Sequence, residues 1–290
     1  MSFLHSIILG IVEGVTEFLP ISSTGHLMLT STLLKIQQTD FQKSFDIVIQ
    51  LGAILSVVVL YWRRLWEWGT IKKLFVAFVP TAILGLAFYK VVKSYLLGSD
   101  AVVLWALLLG GVFLVGFEWW CAKRKTPSPL TAGLPLGERE ITSPSARPAC
   151  PVGREGVDAL ASGGVGETIS YTQSFIIGLF QSLAMIPGVS RSAATIVGGL
   201  LLGLKRKTIV EFSFLLAVPT MLAASALDLY KSAGNFASAD WAPLAVGFVV
   251  SFLVAMVAIK WLLRFIQKNS FIGFGIYRIV VAVLFWWLVM

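Results

Sequence analysis

EGVTEFLPISSTGH, residues 13–26, breaks an apolar stretch at Pro20 and follows the break with a run of hydroxyls. QSLAMIPGVSRSAAT, residues 181–195, does the same around Pro187. Together they set Glu13, Glu17, His26 and Arg191 among apolar neighbours. Ionisable groups at membrane depth are costly, so their presence there reads first as functional. The parent segments, 3–37 and 173–204, are long enough to span a bilayer, but each is divided by its proline and small polar residues. Irregular backbone at that depth has to be buried in protein, which predicts two re-entrant helical hairpins. If both hairpins crossed fully, the chain would have eight spans, and that is the competing topology.

The surrounding composition fixes the setting. Of 290 residues, 57% are apolar and 13% charged, against about 25% charged in a soluble domain. Such a chain cannot coat itself in polar groups, which excludes a soluble protein. Apolar runs near 44–62, 74–93, 101–120, 209–229, 243–263 and 271–290 approach the roughly 20 residues that a span needs. The expected fold is therefore an all-α integral membrane protein with six transmembrane helices and two re-entrant hairpins.

The net charge of +8 does not point to nucleic acid, because the basic residues gather at the ends of apolar runs. Most lysines and arginines fall in loops 61–73, 121–172, 203–208 and 264–270, and few on the other side (Lys35, Lys43, Lys90, Lys93, Lys231). The richer side is expected to be cytoplasmic, with both termini outside. Tryptophans such as Trp62, Trp66, Trp119 and Trp287 fit an interfacial belt. Two cysteines are too few for a disulfide framework.

Residues 123–170 are rich in Pro, Gly, Ser and Ala and lack apolar periodicity. They read as a disordered cytoplasmic linker, with Cys150 an ordinary free thiol in a reducing compartment. The linker divides a first half, 1–122, from a second, 171–290. An offset of 167 aligns the halves without a gap, setting Pro187 on Pro20, Ser190 on Ser23 and Phe212 on Phe45. Each half then holds one hairpin and three spans. An odd number of spans makes the second copy start from the opposite face, so the repeats are expected to be inverted. In such folds the broken helices meet near the midplane and form the binding site.

The chemistry divides between the breaks. Glu13 and Glu17 are four apart and share a helix face. Two carboxylates in low dielectric repel, and a hard divalent ion (Mg2+ or Ca2+) held with substrate phosphate oxygens would resolve this. Ser22, Ser23 and Thr24 can cap the next helix, whose free N–H groups form an anion site. His26 is placed to donate or accept a proton. In the second break Pro187–Gly188 turns the chain, and Ser190 caps the helix that carries Arg191, Ser192 and Thr195. Arg191 opposes the helix dipole and so calls for an anion, either a phosphate or, as a structural ion pair, Glu13 or Glu17. Asp46 and Gln50 share a face that can line a cavity, whereas Glu118, Glu211 and Arg278 read as interfacial residues or structural pairs near cytoplasmic helix ends.

These motifs resemble those of the undecaprenyl-pyrophosphate phosphatase family of the bacitracin-resistance type. Glu13 and Glu17 match its paired-acid pattern, PISSTGH at 20–26 its hydroxyl segment and PGVSRSAAT at 187–195 its arginine motif. EFSFLLAVP at 211–219 and ALDLYKS at 226–232 are similar to other family segments, while the linker matches none. The resemblance implies an enzyme of the bacterial cytoplasmic membrane, its site opening to the outer face. That enzyme would remove the terminal phosphate of a C55 polyprenyl pyrophosphate and return the monophosphate to cell-wall synthesis. Glu17, Ser23, His26 and Arg191 are the candidate catalytic residues. Ser22, Thr24, Gly25, Gly188, Ser190, Ser192 and Thr195 join Arg191 as candidate phosphate binders, and Glu13 and Glu17 are candidate metal ligands. Ser23 as nucleophile, with His26 or Glu17 as base, competes with direct attack by water. Partners are the lipid substrate and membrane lipids, with pairing of two copies left open. A lipid-phosphate flippase using the same site is the rival function.

Overall fold

The computed structural model describes residues 1–37, 39–91, 99–123, 169–232 and 241–289. The linker, the thiol expected at Cys150 and all but the ends of 123–170 lie outside them. The described residues form ten α-helices and no strand. In chain order the first half holds α1 (Phe3–Thr16), α2 (Ser23–Leu33), α3 (Asp40–Leu65), α4 (Trp68–Val91) and α5 (Asp100–Lys123). The second holds α6 (Tyr171–Ser182), a 3-10 turn (Leu183–Met185), α7 (Arg191–Leu201), α8 (Arg206–Ser232), α9 (Trp241–Ile266) and α10 (Ile272–Val289).

Helix starts follow side-chain chemistry. Ser2, Thr39 and Ser170 each accept a backbone N–H from the first turn of α1, α3 and α6, and Ser170 forms a full capping box with Gln173. Both proline-bearing segments divide as expected, into α1 and α2 and into α6 and α7. Among the described residues, five helices are long and apolar enough to cross a membrane: α3, α4, α5, α8 and α9. The sixth expected span corresponds to α10, whose apolar stretch Ile272–Trp287 is shorter. α3, α5, α8 and α9 run past their expected bounds at both ends. The chain is a multi-pass membrane protein.

Its outside is apolar, with Phe75, Leu86, Leu109, Phe113, Val257 and Trp287 all exposed, while Glu13, Ser23, His26 and Arg278 are buried. That inversion of a soluble protein's surface is what a lipid surround requires. Packing follows the offset of 167, but crosswise. α1 lies against α9 of the second half, and its counterpart α6 lies against α4 of the first; α3 meets α8 and α9, and α5 meets α10. Phe18, Phe45, Phe212 and Phe214 are wholly buried, and Phe18 meets Phe214 edge to face at 5.3 Å. This contact locks the loop after α1 onto α8, next to both breaks.

Candidate active site

The first break is a loop, 18–22, between α1 and α2. Ser22 caps α2, accepting from the Gly25 N–H at 3.4 Å, and does so with φ at +73°. A non-glycine residue in that region is strained and commonly marks a functional site. At the second break Ser190 caps α7, accepting from the Ala193 N–H at 3.2 Å. Gly188 makes the turn with φ at +89°. A side chain there would also put its Cβ 2.7 Å from the Val103 carbonyl oxygen, so glycine is required twice over.

The breaks meet. Ser190 Oγ donates across them to the Leu19 carbonyl at 3.4 Å. Glu17, at the C-terminal cap of α1, is the shared partner. Its Oε2 accepts from Ser23 Oγ at 2.5 Å, and its Oε1 accepts from Arg191 Nη2 at 3.2 Å. Both side chains of this ion pair are shielded, 3% exposed for Glu17 and 10% for Arg191. Arg191 Nη1 donates to the Ser213 carbonyl at 2.9 Å, which fixes the guanidinium plane. A buried ion pair carries heavy desolvation and is weak evidence of stabilisation. Here it holds a hydroxyl, a carboxylate and a guanidinium in one file, an arrangement suited to chemistry on a phosphate.

A cavity of about 220 Å³ opens beside them. Glu17, Ser22, Ser23 and Thr24 line it from the first break, and Ser190 and Arg191 from the second. Gln50, Thr81, Gln181 and Thr220 complete its polar wall. Gln50 was legible in the sequence as a cavity residue; the other three come from helices whose patterns gave no sign of it. Asp46, on the same face as Gln50, accepts from Gln42 at 2.8 Å.

The remaining sequence-predicted residues stand back from the cavity wall. Ser192 Oγ lies 3.2 Å from Ser190 Oγ, and Thr195 Oγ1 lies 2.6 Å from Ser213 Oγ. Gly25 packs towards Leu107 of α5. His26 has both ring nitrogens engaged, Nδ1 with the Ser22 carbonyl at 2.7 Å and Nε2 with Tyr277 Oη at 3.0 Å. A carbonyl only accepts, so Nδ1 carries a proton, and in the neutral ring Nε2 accepts from the tyrosine. The rings stack, centroids 5.5 Å apart and planes 6° from parallel. Ser23 therefore bonds Glu17 and not His26.

Glu13 is wholly buried, one turn before Glu17. Among the described residues no donor reaches either of its carboxyl oxygens, and the neighbouring Glu17 carboxyl could share a hydrogen bond with it only if one of the two held a proton. Among the described residues no three of His, Cys, Asp and Glu form a cage for a cation. Two adjacent carboxylates, one of them unpartnered, still fit a hard divalent ion that completes its shell with phosphate oxygens and water.

Of the three residues read as structural pairs, two are paired. Glu118 accepts from Arg206 through both oxygens at 2.6 Å, and Glu211 pairs with Arg64. Arg278 corrects the expectation. It lies between the two breaks, bonded to the Pro20 and Gly188 carbonyls. Nothing in its local sequence gave that away, since its contacts come from residues far along the chain.

Fold and site together define a multi-pass helical membrane protein with a buried acid, hydroxyl and arginine centre assembled from two broken helical segments. The chain belongs to the family described as bacitracin resistance protein BacA, whose model matches residues 6–284. A protein of Sulfurihydrogenibium sp. named undecaprenyl-diphosphatase is 48% identical over 286 residues, covering 99% of each chain. Two others of that name are similar. The one from Aquifex aeolicus is 44% identical, with 97% of this chain and 96% of the relative covered. The one from Wolinella succinogenes is 46% identical, with 98% and 97% covered.

Proposed function

We propose that the chain hydrolyses undecaprenyl pyrophosphate to undecaprenyl phosphate and inorganic phosphate, and so confers the bacitracin resistance in its family's name. Kinship with relatives named undecaprenyl-diphosphatase over almost the whole chain supports the substrate. The observation that carries the chemistry is Glu17 joined at once to Ser23 and Arg191.

Arg191 and the N–H groups opening α2 and α7 grip the terminal phosphate, neutralising charge as phosphoryl transfer demands. Ser23 Oγ attacks that phosphorus as its proton passes to Glu17, and the bridging P–O bond breaks, releasing undecaprenyl phosphate. Glu17 hands that proton to the departing lipid phosphate and is free again; water then attacks the phosphoserine, Glu17 takes the water's proton and returns it to the Ser23 oxygen as the serine O–P bond breaks and inorganic phosphate departs. The 2.5 Å contact supports Glu17 over His26 as the base for Ser23. His26 orders the start of α2 through the Ser22 carbonyl. Glu13 and Glu17 would hold a divalent cation, which when bound offsets the charge of the pyrophosphate. Direct attack by water held on Glu17 is the competing route. Phosphoserine trapped at residue 23 supports the first; full activity in Ser23→Ala sinks it.

The architecture belongs to the same reading. Halves 1–122 and 171–290 are inverted repeats joined by a cytoplasmic linker at 123–170, with both hairpins re-entrant. α10 serves as the sixth span, the termini face out and the site opens to the outer leaflet. The crosswise packing of α1 on α9 and α6 on α4 supports the repeat, and the lysine and arginine bias supports the orientation. The same crossed, broken helices favour a lipid carrier as a second reading. Release of inorganic phosphate from the lipid by purified protein in detergent separates the two, since a carrier alone releases none.

A further inference from the structure

Arg278 is 1% exposed, and a buried guanidinium ordinarily faces a carboxylate. Among the described residues its partners are carbonyls. Nε donates to Leu107 at 3.3 Å, Nη2 to Ala106 at 2.9 Å and Gly188 at 3.1 Å, and Nη1 to Pro20 at 3.3 Å. Ala106 and Leu107 lie within α5, where a carbonyl has a second lone pair to offer. Pro20 and Gly188 sit in the two breaks, outside any helix. Without the guanidinium their buried carbonyls lose the partner recorded here.

α5 is shaped to admit this side chain. A Cβ on Gly110 would collide with the guanidinium, lying 2.8 Å from its Cζ. A Cβ on Gly111 would lie 2.7 Å from the Gly275 carbonyl oxygen. The adjacent glycines let α10 approach closely enough for the arginine to reach over α5 into both breaks. The residue before it, Tyr277, holds His26, so one turn of α10 reaches both His26 and the carbonyls of the breaks.

We propose that Arg278 is the positioning residue of this site. It ties the turn at Gly188 to the turn at Pro20, and so holds Arg191 in register with Glu17 and Ser23. It touches no reacting atom and acts through the backbone of both breaks.

The proposal rests on the phosphatase reading, and the test keeps the two apart. Wild type, Arg278→Gln, Arg278→Lys and Gly110→Ala are purified in detergent, and each concentration is corrected for its folded fraction by thermal melting and size exclusion. kcat and KM are then measured from phosphate release on a polyprenyl pyrophosphate. If wild type releases no phosphate, the functional reading fails. Given wild-type release, a misregister of about 1 Å lowers rate on the order of 10²-fold. Arg278→Gln is expected to lose that much in kcat with KM changed less than about threefold, because Arg191 still binds phosphate. Gly110→Ala pushes the guanidinium aside without removing its charge and is expected to lose kcat too. Arg278→Lys, with one ammonium unable to span four carbonyls, recovers only part. Wild-type kcat in folded Arg278→Gln overturns the proposal. So does a lysine variant with full kcat beside an unimpaired Gly110→Ala, since charge alone would then suffice.

Discussion

Glu17→Gln is the substitution that tests the centre most directly, because it keeps size and shape and removes one charge and one proton acceptor. In the native site Glu17 takes a hydroxyl at 2.5 Å on one oxygen and a guanidinium at 3.2 Å on the other. A glutamine retains one accepting oxygen, so it serves Ser23 or Arg191 but not both, and its NH2 faces whichever is left. Loss of a positioned base removes about 10²–10⁴ in rate, or about 2.7–5.4 kcal/mol of barrier. The fold should lose less than the roughly 3–5 kcal/mol of a broken buried pair, because Arg191 keeps its 2.9 Å bond to Ser213. The assay is phosphate release by purified protein over a range of lipid concentration, with a melting curve on the same sample. kcat is expected to fall through that range with KM changed only a few-fold. Ser23→Ala should fall similarly, and the double variant no further than the slower single, since groups acting as one unit are not additive. Losses that multiply in the double variant would refute the shared proton transfer, as would a Glu17→Gln enzyme within tenfold of wild type.

Three other outcomes follow from particular contacts. Glu13→Ala removes the unpartnered carboxylate. It is expected to raise the divalent concentration for half-maximal rate by about 10-fold or more while chelator abolishes wild-type activity; titration of Mg2+ and Ca2+ checks this. Gly188→Ala forces an L side chain into φ +89° against the Val103 carbonyl and should cost more than about 1 kcal/mol, read as a lower melting temperature. Glu118→Ala leaves Arg206 buried without its carboxylate and should destabilise by about 3–5 kcal/mol, with kcat per folded molecule unchanged, as both residues lie outside the cavity lining.

The breaks were legible because each is spelled out locally. A proline ends one helix, a serine caps the next, and Ser22 and Ser190 take those caps. Arg191 was legible because a cation in the first turn of a helix opposes the dipole and needs an anion. The contact between Ser23 and Glu17 was not, since Glu17 and His26 are both within reach of Ser23 along the chain and only the fold turns His26 towards Tyr277. Arg278 was invisible for a stronger reason. Its partners Pro20 and Gly188 lie 258 and 90 residues away, and its own helix is a plain apolar run. Thr81 and Gln181 enter the cavity wall through the packing of α4 on α6, a contact between halves that periodicity within either one cannot reveal.

The two halves bring opposite charges to the site. The first break brings Glu13 and Glu17, and the second brings Arg191, with Arg278 reaching in from α10. Ionised, these two acids and two guanidiniums balance, which is how four such groups can share an interior of low dielectric. Arg191, set against its helix dipole, uses Glu17 as its anion when no other is present. A pyrophosphate head group then arrives as charge the site has not matched, and it competes for the guanidinium that Glu17 holds. On the proposed mechanism, substrate binding would loosen Glu17 from Arg191 as it brings phosphorus towards Ser23, and Glu13 would help hold the proposed cation that offsets the added charge. Neither half could do this alone, because each carries an excess of one sign. The crossed packing of α1 and α6 is what brings the two excesses together.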